Sequence, residues 1–224
     1  TQLAALGTTP QVIDTGEGTL TLTLTGFNAT TGALSYSYTL KAALDQPGVT
    51  ATTDSIALTV TDLARSVAFY RDLVGLTLVE QTGDTAHLRC SRDHHNLVLV
   101  QGPTPGLQRV GFELESDAQV ERAFEHFQSL GLATRRLPKD EAQALRQGST
   151  FRVREPHCGL DFEYYGRTTV LARPFVPTVA QIARLGHVVI GTADFAGTFG
   201  TLTRDFGFVV SDFVEDRFSF LRGF

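Results

Sequence analysis

Residues 54–80, DSIALTVTDLARSVAFYRDLVGLTLVE, predict a strand, a capped helix and a second strand in immediate succession. In SIALTV the apolar and polar residues alternate, which is the pattern of a strand with one buried face. Asp62 is of a type favoured at a helix N-cap, the apolar residues of 63–74 recur at helical spacing, and Gly75 suits a helix end. The stretch therefore predicts one βαβ unit.

A second copy of this pattern follows further along the chain. The strand RVGFELE leads to Ser116 and Gln119, which are spaced as in a capping box. A helix predicted over 117–130 comes next, and Gly131 closes it. The copy resembles the first in the order and type of every element.

The third copy contains the strand GHVVIGTA, Asp194 as the cap, a helix predicted over 195–206, and Gly207. Cap and glycine are 13 residues apart in both the first and the third copies, which indicates a true internal repeat. Further strands follow the first two helices: AHLRC and NLVLVQ, then FRVRE and LDFEYYG. We therefore predict an α+β fold of βαβββ modules, in which a pair of modules closes a half-barrel sheet around a cavity.

The composition excludes several other classes of protein. The net charge of −5 with scattered Lys and Arg argues against nucleic acid as a partner. No apolar run approaches the roughly 20 residues of a membrane-spanning helix. The two cysteines, Cys90 and Cys158, are predicted to be free thiols. Because the chain begins with Thr1 and has no Met, we expect it to be a fragment.

Residues 1–53 differ from the rest, with fourteen Thr, one basic residue and no His. The alternating stretches TLTLTLT and LSYSYTL predict a partial all-β segment. Residues 12–62 resemble an immunoglobulin-like repeat of the VCBS type from bacterial adhesins, which implies a secreted module without catalysis; any Thr-rich hairpin is the alternative. The strand in 54–62 fits both this repeat and the first βαβββ module. We therefore expect a join there, either engineered or from unrelated reading frames.

The repeated modules also resemble a known family. LTVTDLARSVAFYRDLVGLTLVE and LGHVVIGTADFAGTFGTLTRDFGFVV are similar to the vicinal oxygen chelate superfamily. Within it, residues 55–224 resemble the type I extradiol ring-cleavage dioxygenases, with DHHNLVLV and ARLGHVVIGTAD as the more specific parts. The resemblance implies four modules. Residues 54–166 would be the N-terminal metal-free pair, 167–184 a linker, and 185–224 an incomplete third module at the start of the catalytic domain.

The resemblance implies that two His and one Glu hold Fe(II) in the catalytic pair, an arrangement suited to non-haem iron. The first His would lie seven residues before the helix cap of module three, which is His187. The equivalent positions are Ser55 in module one and, counted from Asp117, Val110 in module two. The offset between modules places the second His at about residue 242 and the Glu, equivalent to Glu163, at about residue 295. We therefore expect this chain to lack two of the three ligands and not to bind iron by itself.

Other roles are open for these residues. A single His in an apolar stretch, such as His187, is commonly a hydrogen-bonded core residue. His94 and His95 are predicted to be a solvated strand end or to pack at an interface, with ligand contact as the alternative. Glu163 is predicted to be a vestigial polar residue in the cleft.

The leading hypothesis is a fragment of an Fe(II)-dependent extradiol dioxygenase whose partners are dioxygen and a catechol-type molecule. The resemblance leaves open which catechol is cleaved. The alternatives are a ligand-binding vicinal oxygen chelate protein without catalysis, and an adhesin-repeat fragment joined to such a module. The dioxygenase part implies a cytoplasmic location and a homo-oligomer, with no nucleic acid and no membrane as partners. The N-terminal segment alone would suggest secretion.

Overall fold

A computed structural model of the chain describes residues 55–214 and 217–223, together with three N-terminal strands. These strands are β1 (Gln11–Asp14), β2 (Gly18–Thr23) and β3 (Ser35–Leu40). They form an antiparallel sheet in the order β1-β2-β3. The alternating Thr-rich stretches are thus strands, as predicted. The rest of the region that resembles an adhesin repeat, up to residue 54, lies outside the described residues. The chain divides into two compact units, residues 1–49 and 50–224.

The second unit contains helices and strands in the repeating order that the sequence predicts. Its strands are β4 (Ser55–Val60), β5 (Thr77–Thr82), β6 (Thr85–Arg89), β7 (Leu97–Gln101), β8 (Gly106–Glu113), β9 (Thr134–Arg136), β10 (Thr150–Arg154), β11 (Asp161–Tyr165), β12 (Val209–Val214) and β13 (Phe218–Arg222). Its helices are α1 (Leu63–Ala68), which continues as a π-helix (Phe69–Val74), α2 (Asp117–Ser129), α3 (Lys139–Ala144) and α4 (Phe195–Arg204).

Eight of these strands form one sheet in the order β5-β6-β7-β4-β8-β11-β10-β9. At its centre β4 pairs antiparallel with β8, and each of these two strands pairs in parallel with the last strand of its own module, β7 or β11. Two βαβββ modules thus lie side by side, which confirms the predicted fold class. Ser55–Val60 is hydrogen-bonded on both sides within this sheet.

Sequence signals at the helix ends agree with the structure. The Asp62 carboxylate accepts a hydrogen bond from the Arg65 amide at 2.9 Å, and Gly75 ends the π-helix with φ of 89°. That left-handed conformation strongly favours glycine. The sequence predicts one regular helix over 63–74, whereas the second half has the wider π geometry.

Each of the first two modules has its own apolar core between its helix and the sheet. In module one the buried residues are Leu63, Val67, Leu76, Ala86, Leu88, Cys90, Leu97 and Leu99. In module two they include Val110, Val120, Phe124, Phe127, Phe151, Val153 and Phe162. Burial of such large apolar side chains contributes roughly 1.5–3 kcal/mol each, so these cores hold the sheet in its fold.

Module three differs from the prediction at its start. Residues 186–193, GHVVIGTA, are not a strand. The opening strands β4 and β8 have a hydrogen-bonded strand on both sides, but no described strand pairs with 186–193. A lone extended segment leaves its amide and carbonyl groups to water, so it gains no ladder stabilisation. The predicted strand is therefore wrong for this chain.

Helix α4 packs against module two, where Leu202 and Phe206 join the apolar core of Phe127 and Phe162. Strands β12 and β13 form a separate antiparallel pair. The short helix α3 is not predicted from the sequence, because it buries only Ala142 and so has no apolar periodicity. Within the described ranges, no helix is long and apolar enough to cross a membrane.

Candidate functional site

The face of the central sheet that carries Ser55, Gly111 and Glu163, called here the inner face, contains the positions equivalent to metal ligands. Neighbouring strands bring these three residues into one row, and Arg152 continues it on β10. A side chain at Gly111 would collide with the Ser55 hydroxyl and approach the Tyr165 ring to 3.2 Å. The space over Gly111 is therefore filled by Ser55 and Tyr165.

The structure changes one of the sequence-predicted equivalences. The N-cap of α2 is Ser116, as the capping box predicts, so the count from Asp117 began one residue too late. Seven residues before the true cap is Arg109, so Arg109 is the equivalent of Ser55 and His187. Val110 is 4% exposed and lies in the apolar core on the opposite face of the sheet. The assignment of Val110 to this position is therefore wrong by one residue.

Glu163 is fully buried and holds a network of charged and polar groups. Its Oε2 lies 3.0 Å from Arg109 Nε and 2.7 Å from Arg152 Nε. Its Oε1 accepts a hydrogen bond from Gln147 at 3.0 Å. Burial lowers the pKa of Arg109, and the adjacent Glu163 opposes that shift. Both oxygens of Glu163 are therefore paired with side chains of module two, and the vestigial role of Glu163 stays a prediction.

In modules one and two a guanidinium thus occupies a ligand-equivalent position and already neutralises the carboxylate beside it. A divalent cation at this place would be repelled by Arg109 and Arg152. Within the described ranges, no group of three or more His, Cys, Asp or Glu side chains could hold a metal ion. The described part of the chain therefore contains no completed metal centre.

His187, the predicted metal ligand, is exposed in the segment that leads to α4. It is not a hydrogen-bonded core residue. The Glu163 network consists of side chains of module two, so the structure does not bring His187 and Glu163 together in one cluster. The proposed ligand role of His187 stays a prediction.

Three histidines form a second polar cluster. His87 on β6 and His94 and His95 in the following loop are at most 5% exposed, with ring centres 4.9–5.5 Å apart. The Nδ1 atoms of His94 and His95 are 3.2 Å apart, a hydrogen-bond distance. The predicted solvated strand end is therefore wrong for His94 and His95, which are buried. The sequence analysis missed His87, although the alternation in AHLRC places it opposite the core residues Ala86 and Leu88.

Burial controls the charge of this cluster. Desolvation lowers the pKa of His87 to about 4, lowers that of His95 well below the ordinary value, and lowers that of His94. All three rings are therefore neutral near pH 7. His94 Nε2 lies 3.6 Å from Glu80 Oε2, which is itself paired with Arg146 at 2.8 Å. The cluster thus links β5 of module one to module two.

Two clefts lie near these groups. One of about 540 Å³ is lined by Arg92 and the segment 170–175. The other, of about 250 Å³, is lined by residues that include Arg135, Arg152 and Asp161 at the edge of the inner face. Small-molecule sites typically have roughly 300–1,000 Å³ and mostly apolar walls, so the second cleft is small and highly charged for such a site.

Comparison with known proteins gives matches in one family. Residues 52–164, just over half of the chain, match the family described as the glyoxalase/bleomycin resistance protein/dioxygenase superfamily. The chain is 28% identical over 182 residues to a manganese-dependent 2,3-dihydroxybiphenyl 1,2-dioxygenase from Geobacillus genomosp. 3, covering 75% of this chain and 57% of the relative. It is 27% identical over 154 residues to a biphenyl-2,3-diol 1,2-dioxygenase from Pseudomonas sp. strain KKS102, covering 66% and 52%.

A solved structure agrees with these relatives. Homoprotocatechuate 2,3-dioxygenase from Brevibacterium fuscum, in complex with 3,4-dihydroxyphenylacetate, is 32% identical, with a TM-score of 0.61. The match covers 70% of this chain and 50% of that enzyme. The chain thus spans about half the length of the relatives that it matches.

Proposed function

Because the chain belongs to the glyoxalase/bleomycin resistance protein/dioxygenase superfamily, we propose that it is part of an extradiol dioxygenase acting on catechol-type rings with dioxygen. Modules one and two are the metal-free pair, and module three begins the catalytic pair. The supporting observation is the buried ion pair of Arg109 and Glu163 at ligand-equivalent positions of the pair. Module three has a metal-ligating residue type, His187, at the position equivalent to Arg109.

The described residues of this chain do not fit a complete metal centre, and we assign no catalytic step to them. For the whole protein we propose Fe(II), because two His and one carboxylate suit that ion, with Mn(II) as the alternative suggested by one relative. Successive ligand-equivalent positions are 54 residues apart, from Ser55 to Arg109 and from Arg109 to Glu163. The same spacing from His187 puts the two remaining ligands at about residues 241 and 295 of a longer chain.

The proposal includes the division of the chain. Residues 1–53 are a partial β segment, 54–166 the metal-free pair, 167–184 a linker and 185–224 the incomplete third module. We also propose a cytoplasmic location and a homo-oligomer for the dioxygenase. The adhesin-like origin of the N-terminal segment and the join near residues 54–62 stay predictions.

Metal loading tests the division directly. The 224-residue chain is incubated anaerobically with excess Fe(II) or Mn(II), freed of unbound metal by gel filtration, and analysed for metal per chain. We expect far less than one ion per chain, with no change in His187→Ala. Stoichiometric metal that is lost in His187→Ala would contradict the proposal, since one chain would then complete the site.

Activity of a longer chain tests the reaction. A chain extended beyond the expected ligands, loaded with Fe(II) or Mn(II), should consume dioxygen with 2,3-dihydroxybiphenyl or 3,4-dihydroxyphenylacetate, the compounds in the relatives' names. Consumption of neither dioxygen nor catechol would favour the ligand-binding alternative.

A further inference from the structure

The three buried histidines lie where modules one and two meet the segment that leaves module two. The His94 amide donates to the Thr169 carbonyl at 2.7 Å, and the Leu171 amide donates to the Arg92 carbonyl at 3.0 Å. Asp93 and Val170 form an antiparallel bridge between these bonds. The loop that carries two of the histidines is therefore held to the segment 168–171.

The packing of this junction offers little that stabilises an imidazolium, since the Glu80 carboxylate, 3.6 Å from His94 Nε2, is already paired with Arg146. Neither ring nitrogen of His87 has a hydrogen-bond partner among the described residues. The charged groups that act on the three rings are the carboxylate of Glu80 on β5 and the guanidinium groups of Arg89 on β6, Arg109 on β8 and Arg146 after α3. Three guanidinium groups thus act on the cluster before any ring is protonated, and two of them are paired with carboxylates, Arg109 with Glu163 and Arg146 with Glu80.

Two other carboxyl groups lie at the same junction. Asp93 is buried and accepts a hydrogen bond from the Ser91 hydroxyl. Glu113, on β8, is held near Asp93, and its Oε2 has no hydrogen-bond partner among the described residues. Of these two groups, Glu113 has a raised pKa and therefore contributes to the response of the junction to pH.

We propose that His87, His94 and His95 form an acid-sensitive joint, in which proton uptake below neutral pH opens the loop 91–96 and releases the segment 168–171. Each imidazole takes one proton from solvent and becomes a cation. Three added cations beside Arg89, Arg109 and Arg146 repel one another in a buried site, so the loop must open to let water reach them. The proposal does not depend on the dioxygenase assignment.

The direction of the response follows from linkage. Burial lowers the pKa of His87 to about 4, whereas an opened imidazole has its ordinary pKa of about 6.5. The open state therefore binds more protons, so opening becomes more favourable as the pH falls from 6.5 towards 4. At pH 5.5 the His87 imidazole favours opening by about tenfold. Glu113 opposes this, since burial raises its pKa to about 7 and the closed state then holds its proton more tightly.

Hydrogen–deuterium exchange of the whole chain tests the joint. Protection factors corrected for intrinsic exchange are measured between pH 7.5 and 5.0 for the amides of His94 and Leu171, with Phe151 on β10 as an internal reference. In Glu113→Gln, which lacks the opposing carboxyl group, we expect protection at His94 and Leu171 to fall at least tenfold by pH 5.5 while Phe151 keeps its protection. The parent chain should lose less protection, and adding His87→Gln to Glu113→Gln should make the loss about tenfold smaller.

The control is His126→Gln, because His126 is exposed on α2 away from the cluster. It should respond to pH as the parent chain does. Constant protection at Leu171 of Glu113→Gln across the pH range, an equal loss at Phe151, or an unchanged response on adding His87→Gln would each overturn the proposal. If the variant with His87→Gln does not fold, His95→Gln provides the same comparison, and the pH profile of Glu113→Gln decides between a joint and no joint.

Discussion

Arg109 and His187 lie at the same position of their modules, seven residues before a helix cap, yet one side chain is buried and the other is exposed. Arg109 lies on a strand with partners on both sides and is buried against Glu163. His187 is exposed in a segment that has no described strand partner. Spacing from a cap identifies equivalent positions, but the neighbouring strands determine whether a side chain there is buried, paired or free.

The largest expected effect comes from removing the charge of Arg109. Arg109→Leu leaves the buried Glu163 with Arg152 as its remaining cation, so we expect the free energy of unfolding to fall by about 3–5 kcal/mol. His187→Leu changes an exposed residue and should alter it by less than about 0.5 kcal/mol. Urea unfolding followed by circular dichroism measures both.

The double variant Arg109→Leu with Glu163→Leu distinguishes the cost of an unpaired buried charge from the cost of changed packing. It removes both partners of the pair, so most of the lost stability should return. Arg154→Ala, which breaks an exposed ion pair with Asp161, should cost at most about 1 kcal/mol. A loss in His187→Leu as large as that in Arg109→Leu would contradict the contrast between the two positions.

A second test asks whether α4 belongs to the cooperative unit of modules one and two. Phe206 is 2% exposed and packs against Phe127 and Phe162 at ring-centre distances of 4.8 and 4.9 Å. Phe206→Ala leaves a cavity that costs about 3–5 kcal/mol if α4 unfolds together with the sheet. Hydrogen exchange then shows equal loss of protection in α4 and in β10.

The matched control is Phe220→Ala, because Phe220 on β13 is 44% exposed. It should change stability by less than about 1 kcal/mol. If Phe206→Ala loses protection in α4 alone, module three unfolds separately from modules one and two. The two parts of the chain would then differ in unfolding cooperativity as well as in the burial of their equivalent side chains.

The paired βαβββ modules could be predicted because period-two alternation, cap residues and glycines all agree on the same order of elements. The caps Asp62, Ser116 and Asp194 are all confirmed. Sequence analysis failed at residues 186–193, since an alternating pattern does not reveal whether a neighbouring strand is available to pair with it. That information comes from tertiary structure.

The candidate site was less accessible to prediction. Counting from Asp117, the first residue of the helix, instead of from the cap Ser116 moved the equivalent position by one residue. In a strand, a shift of one residue moves a side chain to the opposite face. Val110 was therefore assigned to a place that Arg109 occupies. The histidine cluster was missed because His87 and His94 come together only when β6 and the following loop fold.

The smallest expected effects concern the two aspartate caps, which have the same local geometry in different surroundings. Asp62 accepts from the Arg65 amide at 2.9 Å, and Asp194 accepts from the Gly197 amide at 2.9 Å. Each replacement by Ala should cost about 1 kcal/mol of helix stability, whereas replacement by Asn keeps the acceptor and should cost little.

Only Asp194 has a second partner, since His157 Nδ1 lies 2.7 Å from its Oδ2. This contact ties the start of α4 to the turn between β10 and β11. The two Ala variants should therefore differ in hydrogen exchange. Asp62→Ala should lower protection in α1 alone, whereas Asp194→Ala should lower it in α4 and also in the turn around His157. Equal and purely local losses in both variants would mean that the His157 contact adds no stability, and that module three is held to the pair by its apolar residues alone.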